Sequence, residues 1–326
     1  MQRADYGIGK SSTPRGALAR KGNHMAQLTT PMQLSLKNIL VATDFSQASL
    51  SALTCVLPIA KEFNSVVHIV HVIHPSEIDR ASQAADSTIR QQQIHMDAQR
   101  RLESLDTVVG VVPHWTWLPE GEVSEAVEDL VQSQHMDLVA VGASGKSGLK
   151  KFFIGSAAEE IVRKSTCPVL AVGPHVSPAS CGGSLAQLLY ATNLWEESHY
   201  GLQYAIGLAM QYKSRLLLLH VVEQVDQKQS GHDWLREYRR ILRDLLPECA
   251  GDLPVEPVVR VELAKNSPAR ILQVADEINA DLIIMDVRPE ESWATHLRDK
   301  VYEIIACASC PVLTVRTKDE HDAWHE

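Results

Sequence analysis

The sequence predicts an α/β fold made of two tandem, doubly wound domains, each an open parallel sheet of five strands flanked by helices. Three observations support this prediction: apolar strands alternate with helices, the strands lack a polar face, and the whole pattern occurs twice. Strands that are apolar on both faces and separated by helices are typical of parallel sheets covered on both sides. A chain of 326 residues with 45% hydrophobic residues is long enough for two such domains.

The first half starts with a short apolar strand, Asn38 to Thr43, and Ser46 is placed to cap a helix from Gln47 to about Phe63. Pro58 lies late in this helix, so we expect a kink or an early end. The elements predicted to follow are a strand at 66–73, a polar helical stretch at 75–105, a strand at 108–118, a helix at 123–133, a strand at 137–141, a glycine-containing loop, a helix opening at 155–156 and a strand entered through 168.

Four short segments of the first half return in the same order in the second half. The pairs are 39–44 with 188–193, 71–72 with 220–221, 137–139 with 281–283, and 167–170 with 310–313. Ordered echoes of this kind indicate a duplicated structural unit. We therefore predict a disordered tail at 1–35, a first domain at 36–174, a linker at 175–184, a second domain at 185–317 and an acidic tail at 318–326.

The composition argues against several classes of function. The formal net charge is -9, whereas binding to a phosphate backbone favours a basic surface, so we expect no nucleic-acid partner. No run approaches the roughly 18 apolar residues of a membrane span, and the N-terminal region has no apolar segment typical of a secretory signal. We expect a cytoplasmic protein without membrane contact, with Met1 and Met25 both open as the start.

The six cysteines lie mostly within apolar segments, which favours buried thiols in a reducing compartment. Cys307 and Cys310 have the spacing of a redox or metal-binding pair, but they end a predicted helix instead of starting one, so a structural role is the preferred interpretation. His68, His71 and His74 do not form a metal triad in this prediction, because His71 faces away from the other two and those two are roughly 20 Å apart along a strand.

The stretch from Val139 to Val172 has the order that a phosphate site needs: a buried strand, a glycine-containing loop and a helix N-terminus. Glycines let the backbone approach an oxygen-rich ligand, and the first turn of a helix supplies unpaired N–H groups and a partial positive charge. In open parallel sheets, ligands bind at the carboxyl ends of strands, where this loop and Asp44 are both predicted to lie.

These residues resemble the universal stress proteins. The resemblance rests on the spacing Gly142-x2-Gly145-x9-Gly155-Ser156, on residues 43–46 after the first strand and on residues 167–170 in the fifth, and it covers both halves outside the tails. It implies a Rossmann-like fold and an ATP site in the first half, with a divalent cation such as Mg2+ on the phosphates.

The resemblance also implies a role for nine residues. Those expected to contact adenine and ribose are Ala42, Asp44 and Val72; those expected along ribose and phosphates are Gly142, Gly145 and Lys146; those expected to hold the phosphates are Gly155, Ser156 and Ala157. Simpler alternatives exist, because Asp44 could only cap the helix and the glycines could only form a tight turn. Ala140-x4-Gly145-Lys146-Ser147 also imitates a phosphate-loop motif but lacks its first glycine.

The second half has lost the glycine pattern. Aligned by the echoes, Asp286 and Pro289 replace Gly142 and Gly145, Arg298-Asp299 replace Gly155-Ser156, and Asn193 replaces Asp44. Carboxylates in the loop would repel phosphates, and proline removes an N–H donor. We therefore predict that the second half does not bind ATP in the same way.

Three hypotheses on function follow. The first is a stress-response or signalling protein that binds ATP in its first domain and uses the second as a built-in pseudo-dimer partner, with a homodimer of the chain also open. The second is a slow ATPase or self-phosphorylating enzyme using Ser156 or another hydroxyl, although no general base or arginine finger is evident, which makes an enzyme the less favoured option. The third is a scaffold that binds no nucleotide.

Overall fold

The computed structural model of the protein describes residues 34–82, 87–144, 154–194, 200–223, 233–287 and 295–316. Most of the two predicted tails falls outside these ranges. Leu34, which the sequence placed in the N-terminal tail, is buried in the core and contacts Gly207 of the second half. The packed first domain therefore begins before its first strand, at Leu34.

The first half alternates strands and helices along most of its length. Its elements are β1 (Asn38–Ala42), α1 (Gln47–Phe63), β2 (Val66–Val70), α2 (Pro75–Ser82), α3 (Ser87–Ser104), α4 (Asp106–Val109), β3 (His114–Trp117), α5 (Val123–Ser133), β4 (Leu138–Gly142), α6 (Ser156–Lys164) and β5 (Val169–Val172).

The second half repeats the order of the strands, with one described α-helix between its second and third strands where the first half has three. Its elements are β6 (Gln187–Ala191), α7 (Tyr200–Tyr212), β7 (Arg215–Glu223), α8 (Asp233–Asp244), β8 (Val258–Ala264), α9 (Ser267–Glu277), β9 (Leu282–Val287), α10 (Thr295–Cys307) and β10 (Val312–Arg316). Two short 3-10 helices, Pro178–Cys181 between the halves and Glu248–Asp252 before β8, complete the described elements.

Helix α1 shows how local sequence sets the element bounds. Ser46 caps it as predicted, because its side chain accepts a hydrogen bond from the Ser49 N–H. The expected early end at Pro58 is wrong, since the helix continues to Phe63 and stops at Asn64 in a left-handed conformation. Proline removes one helical hydrogen bond, and here the apolar face of α1, packed on the sheet, outweighs that loss.

The polar stretch at 75–105 is not one helix. It contains α2 and α3, followed by the short α4, and β3 covers only four residues of the predicted strand at 108–118. Val111, 93% exposed, lies before that strand. Helical propensity in this region was therefore recognised correctly, whereas the breaks between helices were not.

The strands form one continuous sheet of ten in the order β3-β2-β1-β4-β5-β10-β9-β6-β7-β8. Within each half all pairs are parallel, which confirms the predicted class of fold. The two halves join edge to edge through β5 and β10, which pair antiparallel with Leu170 opposite Leu313. The sequence predicted the two five-stranded sheets but not this junction.

Matching hydrogen bonds in the two halves support the duplication. The Asp137 carboxylate accepts from the backbone N–H of Asn38 at 2.9 Å, and the Asp281 carboxylate accepts from that of Gln187 at the same distance. Each bond ties the start of the fourth strand of its half to the start of the first.

The core consists of two large apolar clusters that each contain residues from both halves. In one, Val139 and Ile283 are fully buried, and in the other, Ile39 and Leu188. Because both clusters continue across the junction, each half shields apolar surface of the other. Burial of this kind is the main term stabilising a fold.

Cys55 of α1 and Cys181 of the inter-half segment form a disulfide, with their Cα atoms 4.4 Å apart. The sequence interpretation of buried thiols is therefore wrong for this pair. The two cysteines are separated by 126 residues, so nothing in their spacing indicated that the segment after β5 returns to α1. Cys167, Cys249 and Cys310 are free cysteines.

No helix in the ranges given above combines the length and the apolar character that crossing a membrane requires.

Candidate functional site

The carboxyl ends of β2, β1 and β4 lie side by side in the first half, and this edge of the sheet is where the sequence predicts a ligand crevice. These strands are adjacent, and Ala42 at the end of β1 pairs with Val70 on one side and Val141 on the other. The register therefore brings the predicted residues Asp44, Val72 and Gly142 to one edge of the sheet. Gly145 and Lys146 lie outside the described residues.

Asp44 forms the exposed rim of this crevice. Its Oδ1 accepts a hydrogen bond of 2.9 Å from the Ser46 N–H, so the turn before α1 uses one of its oxygens. Partial burial raises the pKa of this carboxyl, but hydrogen bonds from Ser46 and Ser49 lower it more, leaving a net decrease. Asp44 is thus an anionic acceptor, and the residue that caps the helix is Ser46 rather than Asp44.

The segment beside Asp44 is fixed by the preceding threonine. The Thr43 hydroxyl oxygen accepts from the Phe45 N–H at 2.9 Å, which holds Phe45 at a φ of 61°. His71 bonds the Thr43 carbonyl through Nδ1 at 2.8 Å, and its ring centroid is 4.5 Å from that of Phe45. Val72, 8% exposed, follows directly and adds an apolar side chain at this edge of the sheet.

Gly142 is required by packing against α1. A Cβ built at this position would lie 2.2 Å from the carbonyl carbon of Ala48, a distance that real Cβ atoms do not show. The end of β4 thus touches the backbone of the first turn of α1. Gly142, the first glycine of the predicted motif, therefore has a packing role, since it lets α1 approach the sheet, and this role is independent of any ligand contact.

Gly155 is required for a different reason. It has a φ of 96° and forms the N-cap of α6, where no side chain caps the helix. Among the residues that the structure describes, a Cβ there would approach Ser144 Oγ alone, at an ordinary contact distance of 3.4 Å, so the constraint comes from the positive φ. The next two residues, Ser156 and Ala157, supply first-turn N–H groups that have no partner within the helix.

Ser144 is a site residue that sequence reasoning missed. Its N–H donates to the Ile154 carbonyl at 3.2 Å, which closes the loop between β4 and α6 and sets the helix start beside the end of β4. The sequence offered one signal for it, a hydroxyl side chain between Gly142 and Gly145 of the glycine motif.

The strand histidines are used structurally. Trp117 Nε1 donates to His68 Nδ1 at 3.1 Å, and Nε2 of the His68 ring lies 3.3 Å from Asn38 Oδ1. Burial lowers the pKa of His68 and keeps the ring neutral. Within the described part of the chain, no group of three or more His, Cys, Asp or Glu side chains is arranged to hold a metal.

The corresponding region of the second half is built differently. Asp286, at the position of Gly142, accepts hydrogen bonds from the Tyr190 hydroxyl and from the Gly201 N–H, the latter at 2.7 Å. Burial raises its pKa to about 6, against the effect of these bonds. A Cβ on Gly201 would lie 2.8 Å from the Asp286 carboxylate, so here the glycine is on the helix and the larger residue on the strand.

Helix α10 also differs from α6. It begins at Thr295, so residue 298, the equivalent of Gly155, lies inside the helix rather than at its N-cap. A backbone N–H inside a helix is already bonded to a carbonyl one turn earlier. The open helix start of the first half therefore has no counterpart at this position.

Comparison with known proteins identifies the family. The sequence model of the Universal stress protein family matches residues 35–173 and again 186–316. A universal stress protein of Methanocaldococcus jannaschii is 29% identical over 139 residues, covering 42% of this chain and 81% of that protein. Universal stress protein A homolog 1 of Coxiella burnetii is 31% identical over 138 residues, covering 42% of this chain and 95% of that protein.

A solved structure shares the fold over most of the chain. The universal stress protein from Archaeoglobus fulgidus aligns with a TM-score of 0.66 at 20% identity, covering 86% of this chain and 98% of that one. The resemblance drawn from the glycine motif and the repeats is thereby confirmed at the level of family and fold. The chain belongs to the universal stress protein family and carries two tandem copies of its domain.

Proposed function

We propose that this stress-response protein binds ATP, with Mg2+ on its phosphates, in the crevice of the first half. One observation carries the proposal: helix α6 starts with an uncapped N-terminus behind Gly155, directly beside the end of β4. The partial positive charge and the free N–H groups of such a helix start favour phosphate oxygens. Ser156 adds an exposed hydroxyl at the first helical position.

The rest of the crevice suits the nucleoside. Ala42 and Val72 offer apolar surface to a base, and the Asp44 carboxylate is able to accept a hydrogen bond from a ribose hydroxyl. Mg2+ would be held by phosphate oxygens and water, since it prefers oxygen ligands and retains much of its hydration.

The second half serves as a pseudo-dimer partner in this proposal. Its Asp286 places a carboxyl group where the first half has Gly142, and α10 has no helix start at residue 298. The second half also contacts α6, the helix that we expect to bind phosphate. Tyr302 Oη donates to the Glu159 carbonyl at 3.3 Å, and Arg316 Nη1 donates to the Lys164 carbonyl at 2.9 Å. A shift of α6 on ATP binding would therefore reach the second half directly.

Titration calorimetry with ATP and Mg2+ tests the proposal. Ala157→Glu adds a negative charge at the start of α6 and should weaken binding by at least about tenfold through repulsion of the phosphates. Thr107→Glu, an exposed position of α4, adds the same charge away from the crevice and should leave the affinity unchanged. Lys300→Gln, at the equivalent position of the second half, should also leave it unchanged.

The results separate the remaining alternatives. If the unmodified protein binds no ATP, or if Ala157→Glu binds as tightly as Thr107→Glu, the proposed site is wrong. Release of inorganic phosphate by the unmodified protein, absent in Ala157→Glu, would point to the slow ATPase. Binding without hydrolysis would favour a signalling protein that binds ATP without being an enzyme.

A further inference from the structure

The second half contains a cavity that the proposed function does not use. It has a volume of about 330 Å³ and lies at the carboxyl ends of β6, β7 and β9. The first turns of α9 and the middle of α10 form its sides. This volume is at the lower end of the range of small-molecule sites, and the position is where open parallel sheets bind ligands.

Most of the cavity wall is aliphatic. Helices α9 and α10 and strand β9 contribute Ile271, Met285, Val287, Val301 and Ile304, and strands β6 and β7 add smaller aliphatic side chains. Met285 is 9% exposed and Ile304 only 1% exposed, so these groups are held in place by the surrounding core. A wall of this kind favours the apolar body of a ligand.

One corner of the cavity is polar and anionic. Glu223 Oε1 accepts hydrogen bonds from Lys300 Nζ at 2.6 Å, from Ser267 Oγ at 2.8 Å and from the Ser267 N–H at 3.2 Å. All three bonds fall on the same carboxylate oxygen. Partial burial raises the pKa of Glu223, but these bonds and the charge of Lys300 lower it more, so Glu223 is ionised at neutral pH.

The charges of the wall disfavour an anion. Lys300 is paired with Glu223 at 2.6 Å, and Asp286 adds a second carboxyl group to the lining. The other ionisable group of the described lining, His220, has a pKa lowered by burial and stays neutral near pH 7. A phosphate or carboxylate entering here would meet two carboxyl groups and a lysine that is already neutralised.

We propose that this cavity binds an uncharged, mostly apolar small molecule that donates a hydrogen bond to the Glu223 carboxylate. The aliphatic wall would take the body of the molecule, and a hydroxyl or N–H group would reach the second oxygen of Glu223. The site is chemically distinct from the phosphate-binding crevice of the first half. The two halves would then respond to different ligands.

The experiment uses two probes that share an indole ring and differ in charge: indole-3-ethanol, which is neutral and has donors, and indole-3-acetate, which is anionic. Binding is followed by NMR of the full-length chain labelled with carbon-13 at its methionine methyl groups. The Met285 signal is assigned by Met285→Leu. Indole-3-ethanol should shift this signal and saturate at millimolar concentration, and indole-3-acetate should bind at least about tenfold more weakly.

Glu223→Gln keeps the shape of the side chain but leaves the charge of Lys300 unpaired. It should abolish or reverse the preference for the neutral probe. Glu248→Gln removes the same charge from an exposed position outside the cavity and should keep the preference. Lys300→Gln, a second variant should Glu223→Gln fold poorly, should weaken indole-3-acetate further.

Three results would overturn the inference. One is that the Met285 signal does not shift with either probe, even when the probe is added to its solubility limit. Another is equal affinity of the unmodified protein for both probes. The third is an unchanged preference in Glu223→Gln. None of these results bears on ATP binding in the first half, so the two proposals are tested independently.

Discussion

Asp286→Asn should gain stability over the unmodified protein as the pH rises from 4 to 7. The carboxyl is buried between the Tyr190 hydroxyl and the Gly201 N–H, and its pKa rises from the ordinary 3.8 to about 6 on folding. Asn has the same shape and keeps an oxygen for the Gly201 N–H, while Tyr190 can accept from the new amide. The substitution therefore removes the charge and little else.

The sign follows from proton binding in the two states. Well below the unfolded pKa of 3.8, both the folded and the unfolded carboxyl are protonated, so Asp286 carries no penalty there. Between pH 4 and 6 the folded state keeps the proton that the unfolded state loses, and the free energy of unfolding falls as the pH rises. A shift of this size corresponds to roughly 3 kcal/mol at pH 7, since one pKa unit is about 1.36 kcal/mol.

Urea unfolding at a series of pH values measures this effect as a difference between two proteins, which cancels the titration of all other groups. The free energy of unfolding of Asp286→Asn, minus that of the unmodified protein, should increase by about 2 to 3 kcal/mol between pH 4 and pH 7. Asp252→Asn, at an exposed position, should show a flat difference. A flat difference for Asp286→Asn as well would mean that Asp286 titrates normally and that its burial is not as described.

Two further predictions concern packing and the disulfide. Gly142→Ala should lower the free energy of unfolding by about 1 to 3 kcal/mol or more in thermal or urea unfolding, because the new methyl group would overlap the backbone of Ala48; a neutral result would show that α1 can move away. Cys181→Ala should lower it by roughly 2 to 4 kcal/mol under oxidising conditions by removing the link to Cys55, and a difference that persists after reduction of both proteins would instead indicate lost packing.

Much of the fold was predictable because its signals are local. The apolar run at β1, the cap at Ser46 and the matching pairs such as Asp137 and Asp281 each depend on a few neighbouring residues. The junction of β5 with β10 was not predictable in this way. Both strands are apolar like every other central strand, and nothing local distinguishes an edge that pairs from one that is shielded by a helix.

The same limit applies to the candidate site. The glycine spacing correctly selected Gly142 and Gly155 as special positions, but it gave no means of telling that one is constrained by contact with Ala48 and the other by its positive φ. In the second half, the exchange of a strand glycine for Asp286 is balanced by Gly201 on α7. The loss of the strand glycine at position 286 is visible in the sequence, but Gly201, which makes room for Asp286, lies 85 residues earlier, and no local pattern connects the two positions.

Helix α6 lies at the point where the two halves of the molecule can influence each other. Its N-terminus borders the first crevice through Gly155, while its last turn accepts a hydrogen bond from Arg316 of β10. In the second half, α10 lines the apolar cavity with Lys300 and Ile304, and Gly173, just after β5, has room for no Cβ because the Ile305 carbonyl oxygen would be 2.2 Å away. Helix α10 is in turn joined to α6, because Tyr302 Oη donates a hydrogen bond to the Glu159 carbonyl at 3.3 Å. If both proposed sites are real, a ligand in either one acts on a junction that the other also touches, and the loss of the phosphate motif in the second copy would have turned a symmetric pair into a protein with two unlike inputs.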